Sequence, residues 1–432
     1  MDPVTWRNWA GNQRTEPTRR VVARTTEDVV AAVKAAARDG LRVTATGSGH
    51  SFTAIGAPDG VALAVPSQGV PEVRELLATV PAGMTIRRLN AALWEQGLAL
   101  PNLGDIDAQT VAGAVSTGTH GTGARHTGIA ARIRAMAMVL ADGTTITTSP
   151  TEHPEIFHHA RVGLGALGVL TALTLECVPA FHLHAHESAR PLEEVLEGFD
   201  ELAGQHDHVE FYWFPHTDVA ATKVNDRTTD TRPARSRIGA WVGDELLGNG
   251  AFELVCRLGA AAPRAVPTLN RIMAGQMANA EYVDRSYRVF TSPRRVRFKE
   301  MEYAVPRAAL GEAVAGLRAA AARHAADVTF PVEVRVAAAD DVPLSTASGR
   351  DSAYVAVHVH HRRPHEAYFG AVEEVMTALD GRPHWGKLHT RTAAELASSY
   401  PGFAGFVALR DRLDPERRFG NPHLERILGA PG

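Results

Sequence analysis

The sequence predicts an α+β protein built from two regions of different organisation. From residue 17 to about residue 178, short β runs alternate with helical segments, which is typical of an α/β layer. From residue 179 onward, β-branched and aromatic runs accompany alanine-rich helical segments at 308–326 and 366–379. This second pattern favours an antiparallel sheet covered by helices. The length of 432 residues is enough for two or three domains.

The first region opens with a strand, a helix and a second strand. Residues 20–24 form a β-branched run, residues 26–37 have helical periodicity, and residues 41–45 form the next β run. The unit ends in the glycine-rich turn Thr46-Gly-Ser-Gly-His-Ser51. Loops of this kind often carry ligand chemistry, so we expect a binding site there.

Later elements follow from local patterns of the same kind. Residues 86–97 have helical periodicity, residues 111–122 are mostly small and predict a loop, and Asp142-Gly143 predicts a tight hairpin turn. In the second region, the run at 209–214 predicts a strand, and the polar stretch 225–237 predicts a loop.

Charge and composition exclude several classes of protein. Forty-five basic and 48 acidic residues give a net charge of −3, so the chain lacks the positive field with which proteins hold nucleic acid. No stretch reaches about 18 uncharged apolar residues, and the first residues lack the pattern of a signal peptide. The two cysteines, Cys177 and Cys256, suit a reducing compartment. We therefore expect a cytoplasmic protein that binds neither nucleic acid nor membrane.

Two glycine-rich segments are candidates for phosphate binding. Gly163-x-Gly165-x-x-Gly168 has dinucleotide-fingerprint spacing, but a helical segment precedes it and a β run follows, so a tightly packed turn is the favoured interpretation. The segment 113–123 combines small residues with hydroxyls, which would let backbone N–H groups approach a phosphate or pyrophosphate. A tight loop without a ligand is the alternative for this second segment.

The histidine pattern raises a metal site as an alternative. His182, His184 and His186 alternate along one predicted strand, as do His358 and His360. No His-Glu-x-x-His motif and no cysteine pair accompanies them, and an exposed sheet face explains the first set equally well. We expect no metal ion. The serine elbow Gly-x-Ser-x-Gly is also absent, which argues against a serine hydrolase.

Three charged residues of the second region are candidates for chemistry. Glu333 and Arg335 alternate with apolar residues and therefore share one face of a predicted strand. Lys387 follows a tryptophan and a glycine, a combination that permits close approach to a ring. A solvent-facing ion pair is the alternative for the first two residues.

Taken together, these segments resemble the sugar-1,4-lactone oxidases. That family includes the L-gulono-1,4-lactone and D-arabinono-1,4-lactone oxidases, and it adjoins the alditol oxidases within the vanillyl-alcohol-oxidase flavoprotein fold. The similarity runs from Trp6 to about Ile427 and rests on five segments in the same order: Thr46–Ser51, Leu100–Asp105, Thr110–Gly121, Phe330–Arg335 and Arg382–Lys387.

The resemblance implies an FAD-binding domain of two α/β subdomains over residues 1–178 and a substrate domain over residues 179–432. Residues from about 382 to 432 would return to the flavin side. FAD would be the cofactor, joined covalently to the ring of His50. The residues that the resemblance places against FAD are Thr46, Gly47, Ser48, Gly49, His50, Ser51, Gly104, Asp105, Thr110, Gly113, Ala114, Val115, Ser116, Gly118, His120 and Val169.

The resemblance also implies the active-site residues. The catalytic residues would be Glu333, Arg335, Lys387 and His358, and the substrate-binding residues would be Asp105, Glu333, Arg335, His360 and Lys387. Two cations near the reacting hydroxyl would favour its alkoxide form and the negative charge of the reduced flavin. Which of the two histidines handles the proton stays open.

The resemblance therefore implies oxidation of a polyhydroxylated small molecule, most simply the C2 hydroxyl of an aldono-1,4-lactone, with O₂ reduced to H₂O₂. Gly104, where related dehydrogenases carry alanine, would leave room for O₂. The alternatives are an alditol oxidase and a dehydrogenase with another acceptor. From a different class, the chain could be a flavin-binding or metal-binding protein without catalysis.

Overall fold

The computed structural model describes residues 5–230, 257–259, 262–275, 279–292, 296–325, 328 and 330–430. Within these residues, a group of small sheets from the first region packs against a large antiparallel sheet from the second. The chain begins with a short antiparallel pair, β1 (Trp6–Arg7) and β2 (Arg14–Thr15). The predicted α+β class is confirmed.

The predicted opening unit forms a parallel sheet in the order β3-β5-β4. Its elements are β3 (Arg19–Val22), α1 (Thr26–Arg38), β4 (Val43–Ala45) and β5 (Val61–Ala64). The helix begins where the sequence predicts because Thr25 and Asp28 form a capping box, each side chain bonding to the other residue's backbone N–H. Its apolar side is buried against this sheet.

An antiparallel sheet in the order β10-β9-β11-β7-β6 completes the first region. Its strands are β6 (Glu72–Arg74), β7 (Leu77–Pro81), β9 (Ile133–Val139), β10 (Thr145–Thr148) and β11 (Val169–Glu176), and β8 (Leu98–Ala99) pairs separately with β12 (Val178–Pro179). The helices are α2 (Ile86–Glu95), α3 (Val111–Ser116) and α4 (Pro154–Ala160). The hairpin predicted at Asp142-Gly143 is confirmed by the pairing of β9 with β10.

The loop predicted over residues 111–122 is wrong at its start, where α3 forms. Thr110 caps this helix, since its hydroxyl accepts a hydrogen bond from the N–H of Gly113. The loop predicted over residues 225–237 is also wrong at its start, because the strand beginning at Val219 continues to Thr228. Residues 231–237 lie outside the described residues.

The second region is dominated by an antiparallel sheet in the order β16-β13-β15-β14-β18-β19-β17-β20, as predicted. Its strands are β13 (His182–Pro191), β14 (His208–Trp213), β15 (Val219–Thr228), β16 (Ala280–Arg285), β17 (Phe298–Pro306), β18 (Val332–Ala337), β19 (Ser352–His360) and β20 (Arg382–Pro383). The accompanying helices are α5 (Leu192–Gln205), α6 (Val266–Gly275), α7 (Ser286–Phe290), α8 (Leu310–Arg323) and α9 (Glu366–Ala378).

The two faces of this sheet differ in chemistry, and that difference positions the site. Side chains such as Phe211, Val334 and Val357 point to one face and pack against α5, α8 and α9. Because successive side chains alternate in direction, their polar neighbours point to the other face, toward the first region. Glu210 and Arg335 belong to that polar face and pair directly across β14 and β18.

The last helices, α10 (Ala393–Ser399), α11 (Phe403–Leu413) and α12 (Pro422–Leu428), return to the first region. The N–H of Val43 in β4 donates to the carbonyl of Arg418 over 2.7 Å. The Asn421 amide donates to the backbone carbonyls of Ala54, Ile55 and Ala57. In the described part of the chain, no helix is both long enough and apolar enough to cross a membrane.

Candidate active site

Two adjoining cavities form the candidate site, one within the first region and one between that region and the polar sheet face. The first, of about 1020 Å³, is lined by the 46–51 turn and by the start of α3, and we call it the glycine cavity. The second, of about 1050 Å³, contains Glu333, Arg335 and Lys387, and we call it the charged cavity. His50 and Gln109 line both cavities, so they mark the junction between the two.

The glycine cavity depends on the absence of side chains at two positions. A Cβ on Gly47 would lie 2.6 Å from the Thr110 hydroxyl oxygen, and a Cβ on Gly113 would lie 2.9 Å from the same atom. Gly49 has a φ of +72°, a conformation that other residues adopt at a cost. The two predicted segments therefore approach each other closely, with their backbones forming the cavity wall.

Most residues predicted to bind the cofactor line one of the two cavities. Those that line the glycine cavity are Thr46, Gly47, Ser48, Gly49, His50, Ser51, Thr110, Gly113 and Ser116. Gly104, Asp105 and His120 line the charged cavity instead.

Four predicted cofactor residues do not line either cavity. Ala114 and Val115 lie on the buried face of α3, because the helix turns Gly113 and Ser116 toward the cavity and these two toward the core. Val169 points into the core beneath α1, while its neighbours Gly168 and Leu170 line the glycine cavity. Gly118 follows α3 with a φ of +78° and lies outside both cavities.

The Gly163–Gly168 segment contributes more than the tight turn that the sequence favoured. Gly165 and Gly168 line the glycine cavity. Phe419 and Leu424, from the returning last segment, line it as well. The glycine spacing was a sequence signal for Gly165 and Gly168. Nothing in the local sequence marks Phe419 and Leu424 as part of a site.

His50 has the features expected of a cofactor-linked residue. Its ring stacks on Trp9, with centroids 5.6 Å apart and planes at 25°. Its Nδ1 is buried and has no hydrogen-bond partner among the described residues. Burial and the nearby Lys387 lower the pKa of His50, which favours the neutral, nucleophilic imidazole. The unpartnered His50 nitrogen and the glycine-rich wall, whose backbone N–H groups can approach a phosphate, together fit FAD.

Arg335 lies at the centre of a buried cluster of carboxylates. Its Nε donates to Glu210 Oε2 over 2.7 Å, and its Nη2 donates to Asp105 Oδ1 over 2.5 Å. It also forms an ion pair with Glu333, and the Tyr212 hydroxyl donates to Glu333 Oε1 over 2.9 Å. Burial acts to lower the pKa of Arg335, but the three carboxylates outweigh it and hold the pKa well above its usual range.

Lys387 lies opposite two carboxylates of a single strand. Its Nζ is 2.5 Å from Glu300 Oε1 and 4.0 Å from Glu302 Oε2, and it lies 5.2 Å from the centroid of the Phe52 ring. Burial acts to lower the pKa of Lys387, but the two carboxylates outweigh it and raise that pKa. Lys387 is therefore a fixed cation in the charged cavity, as is Arg335.

The two candidate histidines of β19 differ in position. His358 lines the charged cavity, and its Nε2 is 3.5 Å from Glu300 Oε1. His360, predicted to bind substrate, lies outside this cavity. It is two residues further along the strand, about 6.7 Å away, and its ring packs against His361 with centroids 4.4 Å apart. Burial lowers the pKa of His360 to about 4.

Five polar residues that line the charged cavity or contact Arg335 were not predicted from the sequence. They are Glu210, Tyr212, Glu300, Glu302 and His384. Glu300 and Glu302 alternate with apolar residues along β17 in the same way as Glu333 and Arg335 along β18. The alternation of charged and apolar residues along β17 is visible in the sequence. The sequence does not show that both faces of this strand are buried.

Histidine and carboxylate side chains converge in this cavity closely enough to resemble metal sites. His120, Glu302 and His384 form one such group, and Asp105, Glu210 and Glu333 form another, with ligand atoms within 4.8 Å of one another. Arg335 and Lys387 already pair with these carboxylates. The donor set is therefore that of an ion-pair network around two cations.

Comparison with known proteins identifies relatives of the whole chain. A family model described as D-arabinono-1,4-lactone oxidase matches residues 173–427, and one described as FAD binding domain matches residues 17–149. The L-gulono-1,4-lactone dehydrogenase of Mycobacterium tuberculosis is 42% identical, over 99% of this chain and 100% of its own length. The L-gulonolactone oxidase of Bos taurus is 32% identical, over 98% of each chain.

Two further comparisons extend this result. The alditol oxidase of a Streptomyces species is 32% identical, over 98% of each chain. Among solved structures, the cholesterol oxidase of Brevibacterium sterolicum superposes with a TM-score of 0.83 at 16% identity, covering 98% of this chain and 96% of that one. At this identity the structural match shows a shared fold.

Proposed function

Because the chain belongs to the D-arabinono-1,4-lactone oxidase family, we propose that it oxidises the C2 hydroxyl of an aldono-1,4-lactone with FAD as cofactor and O₂ as acceptor. The observation that carries this proposal is the convergence of Glu333, Arg335 and Lys387 in a cavity that meets the glycine cavity at His50. A protein that only stores flavin needs no such buried cations beside the cofactor.

The proposed division of labour follows the two regions. Residues 1–178 hold FAD and residues 179–432 hold the substrate, with residues 382–432 returning to the flavin side. The FAD would lie in the glycine cavity against the 46–51 turn and the start of α3, and His50 would bond to it covalently through its ring. When bound, FAD supplies the acceptor for the hydride that leaves the substrate carbon.

The side chains of the charged cavity supply binding and electrostatic stabilisation. Arg335 and Lys387 favour loss of the proton from the reacting hydroxyl, because two buried cations stabilise the alkoxide that forms. Glu333, held by Tyr212, accepts hydrogen bonds from the substrate hydroxyls. His358 lines the same cavity and is the proposed group for proton handling.

Oxygen as acceptor is the part of the proposal that needs its own test. A Cβ on Gly104 would lie 2.8 Å from the carbonyl oxygen of His120 and 3.3 Å from Thr119 Cγ2. Glycine therefore permits a close backbone approach at the edge of the charged cavity, where a methyl group would crowd the wall. A dehydrogenase with another acceptor is the second candidate, favoured by the 42% identity to the mycobacterial protein of that name.

The proposed location is the cytoplasm. The sequence contains two cysteines, and Cys177 is a buried, free thiol. Such sparse cysteine usage suits a reducing compartment. Fractionation of cells that produce the protein at native levels tests this proposal.

Two steps of one experiment separate the candidates. Purified protein is mixed anaerobically with L-gulono-1,4-lactone or with xylitol, and reduction of the flavin is followed by its absorbance. Air is then admitted and H₂O₂ is measured. Reduction by the lactone followed by peroxide supports the proposal, and a preference for xylitol indicates an alditol oxidase. Reduction without peroxide, but with turnover in the presence of a dye acceptor, indicates a dehydrogenase. No flavin reduction by either compound contradicts the proposal.

A further inference from the structure

The ring of His120 faces two hydrogen-bond acceptors. Its Nε2 is 2.6 Å from Glu302 Oε1, and its Nδ1 is 2.8 Å from the carbonyl oxygen of Gly121. A carbonyl oxygen accepts hydrogen bonds but donates none, so Nδ1 carries a hydrogen, and an ionised Glu302 carboxylate requires a hydrogen on Nε2 as well. An imidazole with a hydrogen on each nitrogen is a cation.

The charge balance around His120 supports the same conclusion. Glu300 and Glu302 are both almost fully buried. Although burial acts to raise their pKa values, Lys387 holds the pKa of Glu300 at about 2, and His120 holds that of Glu302 well below its usual range. Two ionised carboxylates opposite Lys387 leave one buried negative charge to be balanced, and an uncompensated buried charge is costly. His358 Nε2 is 3.5 Å from Glu300, whereas His120 Nε2 is 2.6 Å from Glu302, so a cationic His120 is the nearer source of the second positive charge.

The other groups packed against His120 are compatible with a positive charge. The Tyr354 ring of β19 stacks on it with centroids 3.6 Å apart, and a cation over an aromatic face is favourable. The ring of His384 lies 5.9 Å away, and burial lowers the pKa of His384 to about 4, so that it is neutral at pH 7. Lys387 is separated from His120 by Glu302, with which both pair.

His120 also lies close to the junction of the two cavities. The Gln109 amide, which lines both cavities, donates to the hydroxyl of Thr119 over 3.2 Å. The carbonyl oxygen of His120 faces Gly104 across the cavity edge. Glu302 belongs to β17, 182 positions further along the chain, so the contact also fixes this loop to the large sheet.

We propose that Glu302 is a positioning residue that holds His120 with a hydrogen on both ring nitrogens, and that the resulting His120 cation stabilises the negative charge of the reduced flavin. This inference rests on the proposed function, since it takes the flavin ring to lie at the junction of the cavities. In this proposal His120 is a third cation beside Arg335 and Lys387. Its charge depends on the carboxylate of Glu302.

The first test measures the midpoint potential of the bound flavin in the holoenzyme. We expect Glu302→Gln and His120→Gln each to shift the potential to a more negative value, because each removes the cation, and the double variant to shift it no further. Glu302→Asp, which keeps the carboxylate, should restore part of the potential.

Glu281→Gln is the matched control, because it removes the carboxylate partner of His184 on an exposed part of the sheet and should leave the potential unchanged. A shift in His120→Gln without one in Glu302→Gln, or additive shifts in the double variant, overturns the proposal.

The second test reads the charge of His120 directly and needs no substrate. Nitrogen NMR of histidine-labelled protein distinguishes a doubly protonated ring from either neutral tautomer, and His120→Gln assigns the signal. We expect a doubly protonated ring in the parent and a neutral ring in Glu302→Gln. A neutral His120 in the parent overturns this inference and leaves the proposed function intact. Failure of the lactone to reduce the flavin contradicts the proposed function and leaves the NMR result standing. If His120→Gln does not fold, Glu302→Gln assigns the signal by its change.

Discussion

The Nη2 of Arg335 donates to the Asp105 carboxylate over 2.5 Å, although 230 positions separate the two residues in the chain. Asp105 belongs to the first region and Arg335 to β18 in the large sheet. The contact therefore sets the position of a buried cation by the docking of the two regions on each other. Chemistry in the charged cavity should be sensitive to this contact without loss of the overall fold.

Replacing Asp105 by Asn tests that contact. A hydrogen bond between charged groups contributes about 1.5–3 kcal/mol, so we expect kcat/KM for the lactone to fall by at least about tenfold. Asp107→Asn is the matched control, since Asp107 lies two residues after Asp105 and pairs instead with the exposed Arg87. Steady-state kinetics of both variants measure this effect. Equal kcat/KM values for Asp105→Asn and the parent would contradict the proposal that Asp105 positions Arg335.

Replacing Lys387 by Met removes the cation that pairs with Glu300. We expect the rate of anaerobic flavin reduction to fall by a factor of about 10²–10³, because a buried charge that stabilises the reacting hydroxyl is lost. Flavin content, measured by absorbance, should change little. Lys387→Arg should recover part of the rate. Stopped-flow reduction at the parent rate in Lys387→Met would show that the reacting hydroxyl lies elsewhere.

Replacing His50 by Ala tests the covalent link. Its Nδ1 has no partner in the described part of the chain, and we expect the parent protein to keep its flavin after acid precipitation. In His50→Ala the flavin should be released into the supernatant, which fluorescence measures directly. His126→Ala, which replaces another half-buried histidine that does not line the glycine cavity, should retain the flavin. Flavin that precipitates with His50→Ala would place the bond on a different residue.

Replacing Gly104 by Ala tests the crowded cavity edge. The added Cβ would lie 2.8 Å from the His120 carbonyl oxygen, so we expect a loss of about 1–3 kcal/mol in the free energy of unfolding. Peroxide formation should fall more than turnover with a dye. Gly198→Ala, in α5 with open space around it, should instead be neutral or stabilising. Denaturant titration and parallel acceptor assays measure both effects, and an unchanged ratio of peroxide to dye turnover argues against oxygen access at Gly104.

We expect the free energy of unfolding to fall in mild acid because of two stacked histidines. His126 and His208 lie with ring centroids 4.4 Å apart, and burial lowers their pKa values to about 4 and about 3. The unfolded chain takes up these protons near pH 6.5, so the contribution to stability is complete above that pH and is lost as pH falls below it. From pH 6.5 to 5.5 the loss is about 1 kcal/mol per histidine, because the unfolded histidine is already half protonated at pH 6.5.

Urea titrations across this pH range measure the slope. His208→Asn should reduce the pH dependence, whereas His186→Asn, at an exposed position, should leave it unchanged. An identical slope in the parent and in His208→Asn would assign the acid sensitivity to other groups.

The sequence predicted those parts of the site that depend on local pattern. Alternation along β18 placed Glu333 and Arg335 on one face, and glycine spacing marked the 46–51 turn. It could not predict that Glu210 of β14 pairs with Arg335, since that contact depends on strand order in the large sheet. His360, predicted to bind substrate, does not line the charged cavity, because alternation gives the face of a strand but not where along the strand a cavity ends. Phe419 and Leu424 were missed because tertiary packing alone brings them to the glycine cavity.

The return of residues 418–424 to the first region has a consequence for how the protein is made. The stretch that matches an FAD binding domain, residues 17–149, leaves the ribosome long before Phe419 and Leu424 are synthesised. Until then the glycine cavity lacks part of its wall, and β4 lacks the backbone partner that Arg418 provides. Complete enclosure of the glycine cavity is thus a late event in biosynthesis, and in a nascent chain arrested before residue 418 this cavity would lack part of its wall.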